Sequence, residues 1–169
     1  MPGQPPGRWL AAVLAAAVLG GCASGPLRDE GVATELTPQG VADDPVPATG
    51  RTVLWGGVIV AARNLAERTR IEIVAYPLDP RSQRPLLQEA PVGRFLAYEE
   101  GYLETAEYRQ GRRITVRGTV SGTEPGRVGE ADYTYPTVTV EALELWPEQD
   151  ARPRSEPRFH FGIGIILSN

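Results

Sequence analysis

Thr52-Val-Leu-Trp-Gly-Gly-Val-Ile-Val-Ala-Ala-Arg-Asn64 is the stretch that decides the fold class. β-Branched residues dominate it, and apolar residues occupy both sets of alternating positions, which predicts a strand covered on both faces. Gly56 and Gly57 within the stretch predict a bulge or a sharp coil, as at the corner of a barrel. The chain is therefore expected to build its domain around a long strand in a closed or two-layered sheet.

Further strands are predicted on the C-terminal side, at residues 69–78, 113–121 and 133–146. Ile71 and Ile73 share one face of the second strand, and Pro77 ends its pairing. In the last of these strands the apolar phase slips after Ala142, which predicts a bulge. Residues 91–112 show no clear strand pattern, but residues 104–110 could form a short helix ended by Gly111.

These elements predict an all-β domain with one short helix, arranged as a small antiparallel barrel. The five-stranded OB fold, which carries a helix between two of its strands, is the nearest common architecture. A β-sandwich is the alternative.

The N-terminal flank contains an anchor signal. Residues 9–19 are almost entirely apolar, which is the length of the hydrophobic region of a signal peptide and too short to span a bilayer. Leu19-Gly20-Gly21-Cys22 follows and contains the single cysteine of the chain. We interpret it as a lipobox, with cleavage between Gly21 and Cys22 and acyl chains on Cys22. A free cysteine in an oxidising compartment would otherwise be a liability.

Lipidation at Cys22 predicts attachment to a membrane, because several acyl chains on one residue make release negligible. Ala23 follows the cysteine, where an Asp would retain an enterobacterial lipoprotein at the inner membrane. We therefore expect the outer membrane, with the domain on its periplasmic side.

Four regions are predicted along the chain. Residues 1–21 form the signal peptide, and residues 22–50 form a disordered tether that is rich in Pro, Gly and acidic residues. Such a tether would reach about 30 Å as a flexible coil. Residues 51–147 form the barrel domain, and residues 148–169 form a charged linker followed by an apolar, strand-like tail.

Composition narrows the range of functions. The formal net charge is −4, which disfavours nucleic-acid binding. The single histidine, His160, and the single cysteine offer no set of metal ligands or redox thiols. The sequence also lacks a phosphate-binding loop and a nucleophile elbow. No cofactor and no catalytic residue is predicted.

Two groups of residues are candidates for binding. Five of the six tyrosines fall between the second and last barrel strands, and tyrosine pairs a rigid apolar face with a polar tip that suits contact with a sugar or peptide. They are Tyr98, Tyr102, Tyr108, Tyr133 and Tyr135. The tail is uncharged between residues 159 and 167, which predicts contact with a second copy, an envelope protein or the bilayer interface. Its apolar side chains include Phe159, Phe161, Ile163 and Ile165.

The barrel region carries an ordered set of short motifs from Trp55 to Trp146. They include Trp55-Gly56-Gly57-Val58-Ile59, Tyr76-Pro77-Leu78, Gly93-Arg94-Phe95, Gly101-Tyr102-Leu103-Glu104, Val116-Arg117-Gly118, Tyr135-Pro136-Thr137-Val138 and Leu145-Trp146. In this order, and with the lipobox, they resemble the Slp family of bacterial outer-membrane lipoproteins. The resemblance implies an outer-membrane lipoprotein associated with starvation stress and without an established enzymatic activity.

Three functions remain open at this point. The first is a non-enzymatic envelope protein with a structural or protein-binding role. The second is a periplasmic binding module for a glycan or small ligand that uses the tyrosines. The third is a hydrolase that uses the acidic cluster of Glu99, Glu100 and Glu104, although neighbouring carboxylates of this kind are more often a solvated loop.

Overall fold

The computed structural model describes residues 25–148. The predicted signal peptide, the lipidation site at Cys22 and the apolar tail with Phe159, Phe161, Ile163 and Ile165 lie outside the described residues. Within residues 25–148, no helix is long and apolar enough to cross a membrane.

The described part of the chain forms five strands and one short helix. They are α1 (Pro38–Asp43), β1 (Thr52–Asn64), β2 (Arg68–Tyr76), β3 (Gly93–Glu100), β4 (Arg113–Val128) and β5 (Ala131–Leu145). The strands close into a barrel in the order β1-β2-β3-β5-β4, in which β3 and β5 run parallel and the other neighbours run antiparallel. The prediction of an all-β, OB-like barrel with one short helix is confirmed, with one parallel pair in the otherwise antiparallel sheet.

The core fills the barrel with side chains from every strand. Its largest fully buried member is Phe95, whose ring meets Trp55 edge to face at a centroid distance of 5.3 Å. Edge-to-face pairs of this kind add stability beyond the apolar area that they bury. Isoleucines of β1, β2 and β4 complete the interior, namely Ile59, Ile71, Ile73 and Ile114.

Gly56 and Gly57 let three strands approach closely where β1 pairs with both β2 and β4. A Cβ at Gly57 would lie 1.8 Å from the carbonyl oxygen of Val74, and a Cβ at Gly56 would lie 2.7 Å from that of Ile114. The sequence predicted either a bulge or a sharp coil at these glycines. The bulge is wrong, because the register is unbroken at Gly56 and Gly57 and shifts between Ile59 and Ala61. The bulge predicted in the last strand is confirmed, since the β4–β5 register skips Glu141.

Residues 91–112 differ most from the prediction within the barrel. β3 has no clean alternation because both of its faces are covered: Phe95 and Ala97 face the core, while Leu96 and Tyr98 are buried on the other side. The helix predicted at 104–110 is wrong, since this segment forms turns in which Glu104 O accepts hydrogen bonds from two backbone amides.

The β4–β5 hairpin is also longer than expected. The sequence predicts strands at 113–121 and 133–146, but residues 122–127 also belong to β4, and pairing continues to Val128 opposite Ala131. Pro125 lies within this pairing, opposite Thr134. The long hairpin brings its end over the outer face of β2 and β3.

The disordered tether predicted at residues 22–50 is wrong for the part that the structure describes. Residues 25–50 pack along the barrel, and Ala33 N donates to Thr52 O at 2.8 Å. Thr37 caps α1, and Val41 of α1 is 1% exposed within the main core. The composition is tether-like, but a few spaced apolar residues become buried against the barrel, namely Leu27, Ala33, Val41 and Ala48.

Candidate ligand and partner surfaces

Three of the five candidate tyrosines meet between the outer face of β3, which carries Tyr98, and the end of the β4–β5 hairpin, which carries Tyr133 and Tyr135. Tyr98, Tyr133 and Tyr135 form this tyrosine cluster together with Leu96. The rings of Tyr133 and Tyr135 pack edge to face at a centroid distance of 4.8 Å. Because the hairpin packs against β3, Tyr98 and Tyr135 are only 8% and 5% exposed.

Tyr98 joins β3 to the hairpin through its hydroxyl group. The Oη atom donates to Glu124 Oε2 at 2.6 Å, and the Arg68 guanidinium lies over the ring at 4.0 Å from its centroid. Burial of the hydroxyl raises the pKa of Tyr98, and the neighbouring Glu124 carboxylate raises it further. The ring and its hydroxyl are thus both occupied by groups of this chain.

Tyr135 and Tyr133 are held in the same way. Tyr135 Oη lies 3.1 Å from both Glu72 Oε1 and Arg127 O, and burial followed by the Glu72 carboxylate raises its pKa. Tyr133 Oη accepts a hydrogen bond from Arg94 N at 3.0 Å. The ring of Tyr135 also covers Gly126, where a Cβ would lie 2.7 Å from Cε2.

Ion pairs complete the closure of this face. Arg94 Nη1 lies 2.9 Å from Glu72 Oε1 within the sheet, and Arg70 Nη1 lies 3.4 Å from Glu124 Oε1 across to the hairpin. The polar tips of the tyrosine cluster therefore lie among paired charges of the chain itself. The outer face of β2 and β3 is filled by the hairpin and does not form an open concavity.

Tyr102 and Tyr108 do not join this cluster. Tyr102 is 68% exposed, and its hydroxyl donates to Ala66 O at 2.6 Å. Tyr108 packs against the main core, and burial raises its pKa. The sequence grouped five tyrosines that the fold separates into three places.

The glutamates of the acidic cluster have different surroundings. Glu99 is half-buried at the end of β3, and burial followed by the neighbouring Glu100 raises its pKa. Glu104 is exposed, and its carboxylate accepts a hydrogen bond from Ala106 N at 3.2 Å. Neither of the two clefts described next is lined by these glutamates.

An open groove of about 490 Å³ lies between the N-terminal segment, β1 and the end of β2. Its lining is mostly apolar and includes Leu36, Leu54, Trp55, Pro77 and Leu78. This volume falls in the range of small-molecule pockets. Tyr76 also lines the groove, although it is the one tyrosine that was not predicted as a contact residue. The available signal was its place before Pro77 at the end of the second strand.

A smaller cleft of about 320 Å³ lies at the end of β5. Three arginines line it, namely Arg109, Arg112 and Arg113. Glu148 faces them across the cleft, with its Oε1 atom 3.6 Å from Arg112 Nε and bonded to Arg109 Nη2. The carboxylate therefore offsets part of the positive charge of this cleft.

Within residues 25–148, no group of three His, Cys, Asp or Glu side chains could hold a metal ion.

Comparison with known protein families identifies this barrel. The model of the outer membrane lipoprotein Slp family matches residues 19–163, a range that begins at the lipobox and includes the whole barrel. The chain belongs to the Slp family. Its location is accordingly the outer membrane, as the lipobox and Ala23 predicted.

Curated relatives of the Slp family protein come from two bacteria. It is 38% identical over 96 residues to an uncharacterized protein of Haemophilus influenzae, a match that covers 57% of this chain but only 52% of that relative. It is 33% identical over 157 residues to the uncharacterized lipoprotein YeaY of Escherichia coli, covering 88% of this chain and 79% of the relative. The outer membrane protein Slp of Escherichia coli is 26% identical over 126 residues, covering 75% of this chain and 66% of the relative.

A solved structure with a related outline is the small single-stranded DNA-binding protein from Streptomyces coelicolor. The match has 14% sequence identity and a TM-score of 0.36, and it covers 57% of this chain and 94% of that one. At these values the likeness carries no inference about function.

Proposed function

We propose that this Slp family protein is a lipid-anchored, non-enzymatic part of the cell envelope whose periplasmic domain has a structural or protein-binding role. The observation that supports this most is the closed tyrosine face. The side chains best suited to ligand contact are engaged with Glu72, Glu124 and Arg127 of the same chain. The family resemblance adds an association with starvation stress.

The anchor is proposed at Cys22. The lipobox Leu19-Gly20-Gly21-Cys22 lies inside the range matched by the family model, and cleavage between Gly21 and Cys22 would leave the cysteine at the new amino terminus. The acyl chains would then bind the outer membrane with an affinity that increases by about 0.8 kcal/mol for each buried CH₂.

Partner contact is proposed at the apolar tail. Phe159, Phe161, Ile163 and Ile165 alternate along an uncharged stretch that lacks proline. Such a stretch can add a strand to an exposed sheet edge, either on a second copy or on another envelope protein.

A glycan-binding role receives less support. It was based on five tyrosines, and these do not share one concavity. Nucleic-acid binding is also disfavoured, because OB folds bind oligonucleotides on the face of strands two and three, and here the β4–β5 hairpin covers that face. The net charge of −4 opposes it as well.

Cell fractionation of a Cys22→Ser variant tests the anchor, with Ser24→Ala as the matched control. We expect the control to be processed and to sediment with outer membranes, and the Cys22→Ser protein to lose both properties. A Cys22→Ser protein that is processed normally and stays with outer membranes after a carbonate wash would contradict the anchor.

Crosslinking in intact cells tests the proposed role. The full chain and a chain ended after Glu148 are compared, and captured neighbours are identified by mass spectrometry. We expect an envelope protein or a second copy to be captured by the full chain and lost from the shortened one. Identical crosslinks from both chains would contradict a role for the tail.

A further inference from the structure

Both ends of the described chain lie beside one loop of the barrel. The Gln83 side chain holds the backbone of Leu27 on both sides: its Oε1 accepts from Leu27 N at 2.9 Å, and its Nε2 donates to Leu27 O at 2.8 Å. Gln83 O accepts from Thr115 Oγ1 at 2.7 Å, and Thr115 Oγ1 accepts from Trp146 Nε1 at 2.9 Å. We call the side of the barrel at which Leu27, Gln83, Thr115 and Trp146 meet the exit face.

The two hydrogen bonds that attach Leu27 to this face are buried. Leu27 is 8% exposed, Gln83 is 4% exposed and Thr115 is fully buried. Gln83 has a φ of 60°, a left-handed conformation that costs a non-glycine residue about 1 to 2 kcal/mol. The fold tolerates this cost at the position where the Gln83 side chain binds the N-terminal segment. Leu27 is therefore held in place by specific, buried hydrogen bonds.

The position of Leu27 limits how far the domain can lie from the anchor. Leu27 lies five positions after Cys22, and a fully extended chain spans at most about 18 Å over five such steps. The predicted tether of residues 22–50 would have reached about 30 Å on average. Most of that reach is removed, because the chain is already bound to the barrel at Leu27.

The opposite end of the barrel lies beyond this limit. Gly56 contacts Thr115, since a Cβ there would lie 2.8 Å from Thr115 Oγ1. From Gly56 to Asn64, β1 continues for eight residues, which is about 26 Å of strand. Glu67 follows in the exposed turn between β1 and β2. A domain tethered at the exit face cannot readily present this turn to the membrane.

We propose that the short tether holds the exit face against the phospholipid surface of the outer membrane, with the β1–β2 turn directed away from it. This inference rests on the proposed lipid anchor at Cys22. The loop beside Gln83 contributes exposed Arg81 and half-buried Arg84 to this surface. Its acidic residue, Asp79, accepts hydrogen bonds from Ser82 and from the Arg81 amide, which lowers its pKa.

Fluorescence quenching tests the orientation on the intact lipidated protein. Cys22 is the only cysteine and would carry the lipid, so Arg81→Cys and Glu67→Cys each place a single free thiol for bimane. The proteins are inserted into phosphatidylethanolamine and phosphatidylglycerol vesicles that contain nitroxide-labelled headgroups. We expect the label at position 81 to lose most of its fluorescence and the label at position 67 to lose little.

Quenching at position 67 that equals or exceeds quenching at position 81 would overturn the orientation while leaving the anchor intact. Failure of the anchor has a different readout, namely processed Cys22→Ser protein that still sediments with membranes. The two results are therefore distinguishable.

A longer tether tests whether the short tether causes the orientation of the domain. Insertion of about 20 Gly and Ser residues between Ser24 and Gly25 adds an average reach of about 25 Å. We expect the protein with the longer tether to remain on the vesicles. We also expect its label at position 81 to be quenched much less than in the original protein. Unchanged quenching at position 81 would overturn the assignment of the orientation to the short tether.

Discussion

Tyr98 of β3 and Glu124 of β4 form a hydrogen bond of 2.6 Å that fastens the β4–β5 hairpin to the outer face of the barrel. The same carboxylate lies 3.4 Å from Arg70 Nη1 of β2. This contact explains why a tyrosine-rich sequence does not produce an open binding face. The hairpin takes the position that a ligand of the OB fold would occupy.

We expect Tyr98→Phe to lower the free energy of unfolding by about 1 to 2 kcal/mol, because it removes a hydrogen bond to a carboxylate and leaves the half-buried Glu124 carboxylate without this donor. Urea unfolding measures the change. Tyr102→Phe is the matched control, since the Tyr102 side chain is 68% exposed, and it should change stability by less than about 0.5 kcal/mol. Equal losses in the two variants would show that the hairpin contact contributes no special stability.

Stability should also depend on pH in the alkaline range. Burial and the carboxylates of Glu124 and Glu72 raise the pKa values of Tyr98 and Tyr135 above 10.0. Between the unfolded and folded pKa values the folded state keeps protons that the unfolded state has lost. The contribution of these two tyrosines to the free energy of unfolding is therefore fully present below pH 10 and is lost as the pH rises through the folded pKa values.

Spectroscopic titration of tyrosinate together with urea unfolding at each pH checks this expectation. The double variant Tyr98→Phe, Tyr135→Phe should show a shallower loss of stability above pH 10. It should lack two of the late-ionising tyrosines, while Tyr108, whose pKa is also raised by burial, remains. A wild-type titration in which every tyrosine ionises with an ordinary pKa would contradict it.

The local patterns of this chain predicted its strands well. The strand predicted at 113–121 and the phase slip near Glu141 depend on neighbours in sequence, and both features are present in the structure. β3 was missed because Leu96 and Tyr98 are buried by a hairpin that arrives about thirty residues later in the chain. A pattern that depends on a distant covering element cannot be recognised from β3 alone.

The candidate site was predicted less well, because residue type does not specify position. Tyr98 and Tyr135 meet only because β3 and β5 pair in parallel, and Tyr102 is excluded because it lies past the end of β3. The N-terminal segment was misjudged for a related reason. Its composition resembles a tether, but Leu27 and Val41 are spaced to reach the barrel.

Gly57 should tolerate no side chain, because a Cβ would lie 1.8 Å from Val74 O in the paired strand. We expect Gly57→Ala to cost at least about 3 kcal/mol of unfolding free energy, since neither backbone can move without breaking the barrel pairing. Gly129→Ala is the control, because its φ is 61° but nothing lies within 4 Å of the added Cβ. It should cost about 1 kcal/mol, and a smaller loss at Gly57 than at Gly129 would contradict the close approach.

Gln83 should affect the free energy of unfolding through both its side chain and its backbone conformation. Gln83→Ala removes two hydrogen bonds to Leu27 and keeps a strained φ of 60°, so we expect a loss of about 2 to 3 kcal/mol. Gln83→Gly removes the same bonds but relieves the strain, and it should be more stable than Gln83→Ala by up to about 1 kcal/mol. Chemical denaturation measures both, and the reverse order would contradict the left-handed backbone at this position.

Val41 should be part of the folded domain although it lies in a segment whose composition predicts a tether. It is 1% exposed within the core, so Val41→Ala should lower the free energy of unfolding by about 2 kcal/mol through lost burial and a residual cavity. Val46→Ala is a matched control five residues along the same segment, because Val46 is 83% exposed. It should be nearly neutral in the same urea titration. If both substitutions were neutral, residues 25–50 would be dispensable for the barrel, and the short tether inferred from Leu27 would lose its structural basis.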